Sequence, residues 1–149
     1  MEISIGCDHA GFDLKEKVKR LLEESSHGVS DEGAFSDEST DYPDFAARVA
    51  RAVSEGTVER GILICGTGIG MSIVANKFEG VRAALCHNLE TAQMSRLHID
   101  SNVLALGSRV LEPEVALNIV REWLQTDFDG GRHQRRLDKI KGLENRDRP

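Results

Sequence analysis

A cysteine followed by glycines at alternate positions is the feature of this sequence that most suggests chemistry. In the stretch RGILICGTGIGMSIVANK, residues 60–77, an apolar run ends at Cys65, and Gly66, Gly68 and Gly70 follow. Successive backbone N–H groups in a glycine turn that opens a helix stabilise an anion, and the same field favours a thiolate at Cys65. A thiolate there suits a nucleophile or a base that abstracts a proton.

Other interpretations of these glycines and of the other thiols stay open. The glycines could serve only a tight strand-to-helix turn whose packing requires glycine. Their spacing does not match the dinucleotide-binding fingerprint, and no Lys-Ser/Thr pair follows them as in an ATP-binding P-loop. Cysteine is also a common core residue, and Cys7 and Cys86 are interpreted in that way because no such turn follows them.

Polar residues elsewhere are candidates for the rest of a site. Asp8 and His9 follow the first predicted strand, where they could bind hydroxyls or an anion, although Asp8 could equally cap the next helix. Tyr42 precedes a helix start, and the alternative for it is plain packing. His98 ends a predicted helix, where a lone histidine is usually a surface or core residue.

Basic residues are concentrated near the end of the chain. Residues 132–149 contain seven Lys/Arg and three Asp/Glu, a local +4, whereas the whole chain carries −6. Arg132 and Arg136 lie four positions apart on one face of a predicted helix, and two guanidinium groups on one face suit a phosphate. The tail could instead be a solvated helix face, or it could bind an acidic neighbouring subunit. Together these features predict a site for a phosphorylated small molecule with one activatable thiol.

Apolar runs and helical spacings alternate along the chain. Strands are predicted at residues 3–7, 29–34, 61–65, 81–86 and 102–106, and helices at 12–25, 42–53, 69–77, 89–97, 113–124 and from about 131. This alternation predicts a five-stranded parallel sheet with helices on both faces. Such sheets bind ligands outside the carboxyl ends of their strands, which is where the cysteine and glycine turn falls.

Composition limits the class of protein. The length of 149 residues predicts one domain, 1–149, and the acidic net charge argues against a nucleic-acid partner. No window approaches the apolar length of a membrane span, and the first residues read as a strand rather than as a signal peptide. Three widely spaced cysteines argue against a disulfide framework. We therefore expect a cytoplasmic protein with no membrane or nucleic-acid partner.

Six stretches together resemble one known family. They are GCDHAGFDLK, TDYPDFA, ICGTGIGMSIVANK, RAALC, NVLALGSRV and FDGGRHQRRLDKI, in family order and with family-like spacing. The sequence is similar to ribose-5-phosphate isomerases of type B, in the sugar-phosphate isomerase family that also holds the galactose-6-phosphate isomerase subunits. The resemblance implies a Rossmann-like three-layer αβα sandwich with a C-terminal helical extension. It also implies an aldose–ketose isomerase that needs no metal or cofactor and works through a cis-enediolate.

The resemblance implies a role for each matching residue. Cys65 would be the base that moves a proton between C1 and C2, and His98 would assist opening of the sugar ring. Thr67 and the N–H groups of Gly66, Gly68 and Gly70 would stabilise the enediolate oxygen. The substrate would be held by the remaining candidates, with Asp8 on the sugar, Tyr42 lining the pocket, and His9, Arg109, Arg132 and Arg136 on the phosphate.

The resemblance also implies how the chains assemble. The family forms dimers with sites built from both subunits, so we expect a homodimer or a dimer of dimers. The helical segment at residues 131–149 would then pack on the partner subunit. One branch of the family replaces the cysteine by a glutamate after the glycines, where this chain has Met71, so Cys65 and Met71 together indicate the thiol branch.

One residue departs from the family pattern and leaves the sugar open. The ring-opening histidine is usually followed by asparagine, whereas here Ile99 follows His98. The substrate could therefore be ribose 5-phosphate or another sugar phosphate of four or six carbons, for example allose 6-phosphate. A phosphosugar-binding module without catalysis is a further alternative. A thiol redox or thiol-acyl enzyme is another, but Cys65 has no cysteine within two residues.

Overall fold

The computed structural model describes residues 1–144, which form a parallel sheet between two layers of helices. Residues 145–149, the end of the predicted C-terminal segment, lie outside the described residues. Across residues 1–144, no helix is both long enough and apolar enough to cross a membrane. The strands are β1 (Glu2–Cys7), β2 (Gly28–Asp31), β3 (Arg60–Cys65), β4 (Ala83–Leu85) and β5 (Val103–Gly107). The α-helices are α1 (Phe12–Glu24), α2 (Tyr42–Ser54), α3 (Ile69–Ala75), α4 (Leu89–Leu97), α5 (Pro113–Gln125) and α6 (Arg132–Glu144).

The sheet has the strand order β2-β1-β3-β5-β4, and every pair of neighbouring strands is parallel. Side chains alternate between its faces, so Ile62 and Ile64 of β3 join the core under α1, α4 and α5. Leu63 and Cys65 join the second core, under α2 and α3. The predicted Rossmann-like three-layer sandwich with five parallel strands is confirmed.

The chain changes direction across the sheet between β1 and β3. From β1 it runs outward to β2, and from β3 it runs to the other half of the sheet, with β5 inserted between β3 and β4. The carboxyl ends of β1 and β3 therefore flank a crevice, the usual ligand position in such sheets. Cys65 ends β3 at this point and is paired with Gly107 of β5.

Two strands and one helix are shorter than their predicted bounds by more than one residue, and local backbone and side-chain features explain these differences. β4 covers residues 83–85 rather than 81–86, because the side chain of Asn102 accepts from the Arg82 N–H and that of Asn76 from the Ala83 N–H. The same Asn76 side chain donates to the Ala83 carbonyl and ends α3 at Ala75 rather than at residue 77. β2 ends at residue 31 rather than 34, since Gly33 has a φ of 91°.

A fully buried lysine fixes the segment that follows β2. Lys15 of α1 is 0% exposed, and its Nζ lies 2.8 and 2.9 Å from the two Asp31 oxygens and 2.7 Å from the Ala34 carbonyl oxygen. Burial raises the pKa of Asp31, but the hydrogen bonds from Lys15 and the Gly33 N–H outweigh it, so the pKa lies below its ordinary value. A buried ammonium group needs such a partner, because an unpaired charge in a core is strongly destabilising.

Asp31→Asn is expected to destabilise the fold in a pH-dependent way. The folded-state pKa of Asp31 is lowered, so its stabilisation is present above the unfolded pKa and is lost as the pH falls through the folded value. At pH 7 the variant should lose about 3 kcal/mol of unfolding free energy, because Lys15 loses its counter-charge. Urea unfolding should show the same difference from wild type at pH 7 and pH 5, both above the unfolded pKa, and a smaller difference at pH 3. Asp37→Asn, in an exposed position, is the control, and a difference independent of pH would contradict the ion-pair account.

Candidate active site

The sulfur of Cys65 accepts a backbone hydrogen bond from the turn that follows it. Cys65 is 5% exposed, and the Gly68 N–H donates to its Sγ at 3.1 Å. Gly68 has a φ of 78°, and a Cβ atom at this residue would lie 2.6 Å from Leu85 Cδ1 and 2.9 Å from the carbonyl carbon of Leu106. Glycine is therefore required both for the left-handed backbone and for the close approach that brings this N–H group to the thiol.

Three of the predicted site residues lie against the same turn. The ring of Tyr42 packs on Gly70, where an added Cβ would lie 2.5 Å from Tyr42 Cε2. The Arg109 side chain runs beside Gly66, since a Cβ there would lie 3.4 Å from its terminal nitrogen. Thr67 is exposed, and its Oγ1 accepts from the Ile69 N–H at 3.3 Å, which leaves the hydroxyl proton available to a ligand.

Asp8 and His9 occupy the neighbouring strand end, and both are fixed by backbone groups. The Asp8 carboxylate accepts from Ala10 N–H at 3.0 Å and Gly11 N–H at 3.2 Å, so the capping interpretation is confirmed. The Nδ1 of His9 accepts from the Thr40 N–H at 3.2 Å, and the Thr40 hydroxyl accepts from the His9 N–H at 3.1 Å. Because a backbone N–H donates to Nδ1, the neutral ring carries its proton on Nε2.

Ser108 ties the three strand ends into one rigid edge. Its hydroxyl donates to the carbonyl of Ala10 at 2.7 Å and lies 3.2 Å from the carbonyl oxygen of Cys65. Its backbone N–H donates to the same Cys65 carbonyl at 2.8 Å. The segments after β1, β3 and β5 are thus held together directly beside the thiol.

His98 and the two C-terminal arginines lie at the opposite edge of the sheet. His98 follows α4, which runs back from the carboxyl edge to the amino edge, and the Arg82 side chain before β4 donates to the Ile99 carbonyl at 3.1 Å. β5 has five residues, so the two edges are roughly 16 Å apart. Arg132 and Arg136 are exposed on α6, near His133, whose ring stacks on that of His98. One chain therefore brings together only part of the predicted set: Asp8, His9, Tyr42, Cys65, Gly66, Thr67, Gly68, Gly70 and Arg109.

At that opposite edge two imidazole rings stack. The rings of His98 and His133 have centroids 4.2 Å apart and planes 14° apart. Desolvation lowers the pKa of His133, and the neighbouring His98, Arg132 and Arg136 lower it further, against an opposing effect of Asp129. His133 is therefore neutral at pH 7.

The other two cysteines are core residues, as predicted. Cys7 and Cys86 are buried in the core under α1, α4 and α5, on the face of the sheet opposite to Cys65. Burial raises the pKa of Cys7 to about 12 and raises that of Cys86 as well. The chain has three cysteines in all, so Cys65 has no resolving thiol on its own face, which argues against the redox alternative.

Three residues that shape these two clusters were not singled out in the sequence. Thr40 orients His9 from a polar loop, and Ser108 stands at a strand end directly before the predicted site residue Arg109. His133 lies between the two arginines that were selected for their four-residue spacing. The position of His133 between the paired arginines could have indicated it as a site residue from the sequence. The contact of Thr40 with His9 could not be predicted in this way, because it forms only when the loop folds.

The fold and the site define a class: a Rossmann-like α/β protein with a thiol and a glycine turn at the switch point of its parallel sheet. The protein-family model described as Ribose/Galactose Isomerase matches residues 3–140 of this chain. A ribose-5-phosphate isomerase B of Escherichia coli is 52% identical over 145 residues, 97% of each chain. A D-erythrulose-4-phosphate isomerase of Pectobacterium atrosepticum is 42% identical and covers 99% of this chain and 98% of its own. The solved ribose-5-phosphate isomerase B of Clostridium thermocellum is 51% identical, with a TM-score of 0.95 over 97% of each chain.

The chain belongs to the ribose/galactose isomerase family. The resemblance drawn from the six sequence stretches is thereby confirmed.

Gly68→Ala is expected to destabilise the protein more than the same change at another left-handed glycine. Gly56 has a φ of 73° and no atom within 4 Å of an added Cβ, so Gly56→Ala costs only the backbone strain, about 1 kcal/mol. Gly68→Ala adds the clash with Leu85 and Leu106 and should cost about 2 kcal/mol more. Urea unfolding of both variants measures this difference. Equal losses would contradict the close packing described for the turn.

Proposed function

We propose that the protein interconverts ribose 5-phosphate and ribulose 5-phosphate as an aldose–ketose isomerase. The observation that carries the proposal is the Cys65 thiol at the switch point, with the Gly68 N–H on its sulfur. The ribose-5-phosphate isomerases B of Escherichia coli and Clostridium thermocellum match this chain over 97% of its length. No step of the proposed chemistry requires a metal or a cofactor.

Cys65 moves one proton between adjacent carbons. As a thiolate it removes the C2 proton of the open-chain aldose, and electrons of the C2–H bond form the C1–C2 double bond of a cis-enediolate. Negative charge then develops on O1. The thiol returns the proton to C1, and the O2 hydroxyl proton passes to O1, which leaves the ketose. A single base suffices because it can reach both C1 and C2 from the same face of the planar enediolate.

Stabilisation of the enediolate comes from groups fixed before the substrate binds. The N–H groups of Gly66 and Gly70 and the hydroxyl proton of Thr67 face the developing charge, while Gly68 holds the sulfur. Donors that are already oriented cost no reorganisation in the transition state. Tyr42 closes one side of this pocket, and Asp8, held by backbone N–H groups, contacts the sugar.

The phosphate is bound by residues of two chains. His9 presents an Nε2 proton and Arg109 a guanidinium at the carboxyl edge of one sheet. Arg132 and Arg136 lie near the amino edge, roughly 16 Å away, as does His98, which opens the sugar ring. A second copy of the chain brings these three residues to the thiol, so the protein is a homodimer or a dimer of dimers.

An apolar surface around the turn supports the homodimer. Ile69 and Ile73, one helical turn apart on α3, are 51% and 57% exposed, and Val110 after β5 is 62% exposed. Ile69 and Val110 line one open cavity, and exposed apolar side chains grouped beside a polar site are typical of a subunit interface. In this arrangement α6 (Arg132–Glu144) packs on the partner, and the chain acts as a single domain in the cytoplasm.

A second candidate function differs from the first only in the sugar phosphate that the enzyme prefers. Ile99 is 42% exposed next to His98 and offers no hydrogen bond to a sugar hydroxyl. A relative named for D-erythrulose 4-phosphate is 42% identical to this chain. An isomerase of a four-carbon or six-carbon sugar phosphate would use the same thiol chemistry.

Cys65→Ala should abolish isomerisation and retain phosphate binding. Loss of the base lowers kcat by a factor of about 10²–10⁴ or more. The assay mixes tag-free, metal-stripped protein with aldose phosphates of four, five and six carbons and follows ketose formation. Cys86→Ala, a thiol deletion on the other face of the sheet, is the matched control.

The outcomes separate the candidates. Preferred turnover of ribose 5-phosphate by the wild type but not by Cys65→Ala supports the main proposal. Preference for another sugar replaces the substrate and keeps the mechanism. No turnover on any sugar, with calorimetric binding unchanged in Cys65→Ala, would establish a binding module instead.

Mixing two inactive variants tests the two-chain site. Cys65→Ala and His98→Asn each remove one half of every site, but a hybrid dimer has one intact site and one doubly altered site. After unfolding and refolding an equal mixture, about a quarter of wild-type activity should return, because half of the dimers are hybrid. Each variant refolded alone is the control. Failure to recover activity in a mixture shown to contain hybrids would contradict the shared site.

A further inference from the structure

We propose that His98, Asp129 and His133 form a binding site for a divalent transition-metal ion, with Zn²⁺ as the representative probe. One ligand atom from each of these residues lies within 4.8 Å of the other two. Two imidazoles and one carboxylate are a donor set that Zn²⁺ accepts, with a fourth position open to water. The site lies at the amino edge of the sheet, away from the Cys65 thiol of the same chain.

The backbone around these three residues is already fixed. The Asp129 N–H donates to the Leu97 carbonyl at 3.1 Å, which attaches the loop before α6 to the end of α4. His98 follows α4 directly, and His133 lies in the first turn of α6. The three ligands thus come from two helix ends joined by a hydrogen bond, so little chain entropy is lost when a metal binds.

The imidazole nitrogens have no competing protein partner. Within residues 1–144, no protein group makes a hydrogen bond with the ring of His98 or of His133, although His133 is only 5% exposed. Both rings keep nitrogens that solvent reaches, since Ser4 Oγ is the only buried side-chain nitrogen or oxygen without a partner in the described part of the chain, and a solvent-accessible imidazole nitrogen is open to an incoming ion. The two rings contact each other by stacking, which uses their faces and leaves their nitrogens unoccupied.

Metal binding requires a modest movement of the side chains. Bonds of about 2.0–2.2 Å in a tetrahedral site place ligand atoms roughly 3.3 Å apart, so separations of up to 4.8 Å must close by no more than about 1.5 Å. The stacked rings must also turn, so that each nitrogen points to the ion. His98 is half-buried and Asp129 is exposed, so the movement falls mainly on these two side chains and not on the buried His133.

Occupation of this site removes His98 from any other role. One consequence rests on the proposed function. If His98 opens the sugar ring, a metal bound to it is a reversible inhibitor of the isomerase and not its cofactor. Binding of the ion itself does not depend on the proposed function.

Calorimetry with Zn²⁺ tests the site on tag-free full-length protein carrying Cys65→Ser, which removes the thiol as a competing ligand. One ion per chain should bind. His133→Gln and Asp129→Asn should each lower the affinity about tenfold or more, whereas Asp127→Asn, an exposed carboxylate in the same loop, should leave it unchanged. Thermal unfolding of each variant confirms that the buried His133 change has not simply unfolded the chain.

Two results would overturn the proposal. One is the absence of Zn²⁺ binding in the Cys65→Ser protein, and the other is equal affinity in Asp127→Asn and Asp129→Asn. X-ray absorption of the zinc complex should show two imidazole ligands, and a spectrum without imidazole would also refute the assignment. With the Cys65 thiol present, Zn²⁺ should inhibit isomerisation less in Asp129→Asn than in Asp127→Asn. Failure of all isomerase activity would bear on the proposed function alone, because the calorimetry needs no turnover.

Discussion

Parallel strands impose the constraint on which the rest of this structure depends. They collect the residues after β1, β3 and β5 at one edge of the sheet, while the helices that return antiparallel end at the other edge. Cys65 therefore lies at one edge and His98 at the opposite one, with α6 attached beside His98. Within one such sheet the two groups stay at opposite edges. The proposed chemistry, which needs both groups at one sugar, therefore requires a second chain.

The thiol edge is rigid for reasons that are local and electrostatic. Gly68 brings its N–H to the Cys65 sulfur only because glycine allows both the left-handed backbone and contact with β5. Ser108 and Asp8 hold the neighbouring strand ends through backbone groups. Dipoles fixed in this way stabilise a developing anion without reorganisation, which is how a weakly acidic C–H can be deprotonated by a thiolate. The opposite edge, where His98 and His133 lie, is held by the Asp129–Leu97 backbone hydrogen bond, by side-chain hydrogen bonds from Arg82 and Arg96, and by the ring stack.

The sequence predicted the sheet and the thiol turn, because hydrophobic periodicity and glycine spacing are local properties. It placed Cys7 and Cys86 in the core for the same reason, and the fold confirms it. The ends of β4 and α3 could not be predicted from hydrophobic periodicity, because the side-chain amides of Asn76 and Asn102 replace backbone hydrogen-bond partners there. Long-range contacts were missed as well. The hydrogen bonds between Thr40 and His9 and the His133 stack exist only after distant segments pack, and no local pattern encodes them.

Hydrogen exchange at the reacting carbons tests the central claim most directly. The protein is incubated with ribose 5-phosphate in D₂O, and proton NMR follows the hydrogen at C2 of the aldose and at C1 of the ketose. A thiol base that carries the proton through an enediolate predicts that deuterium accumulates at both carbons as the reaction approaches equilibrium, and that none enters with Cys65→Ala. Isomerisation without deuterium uptake, even after many turnovers, would mean direct hydride transfer between the carbons and would contradict the role assigned to Cys65.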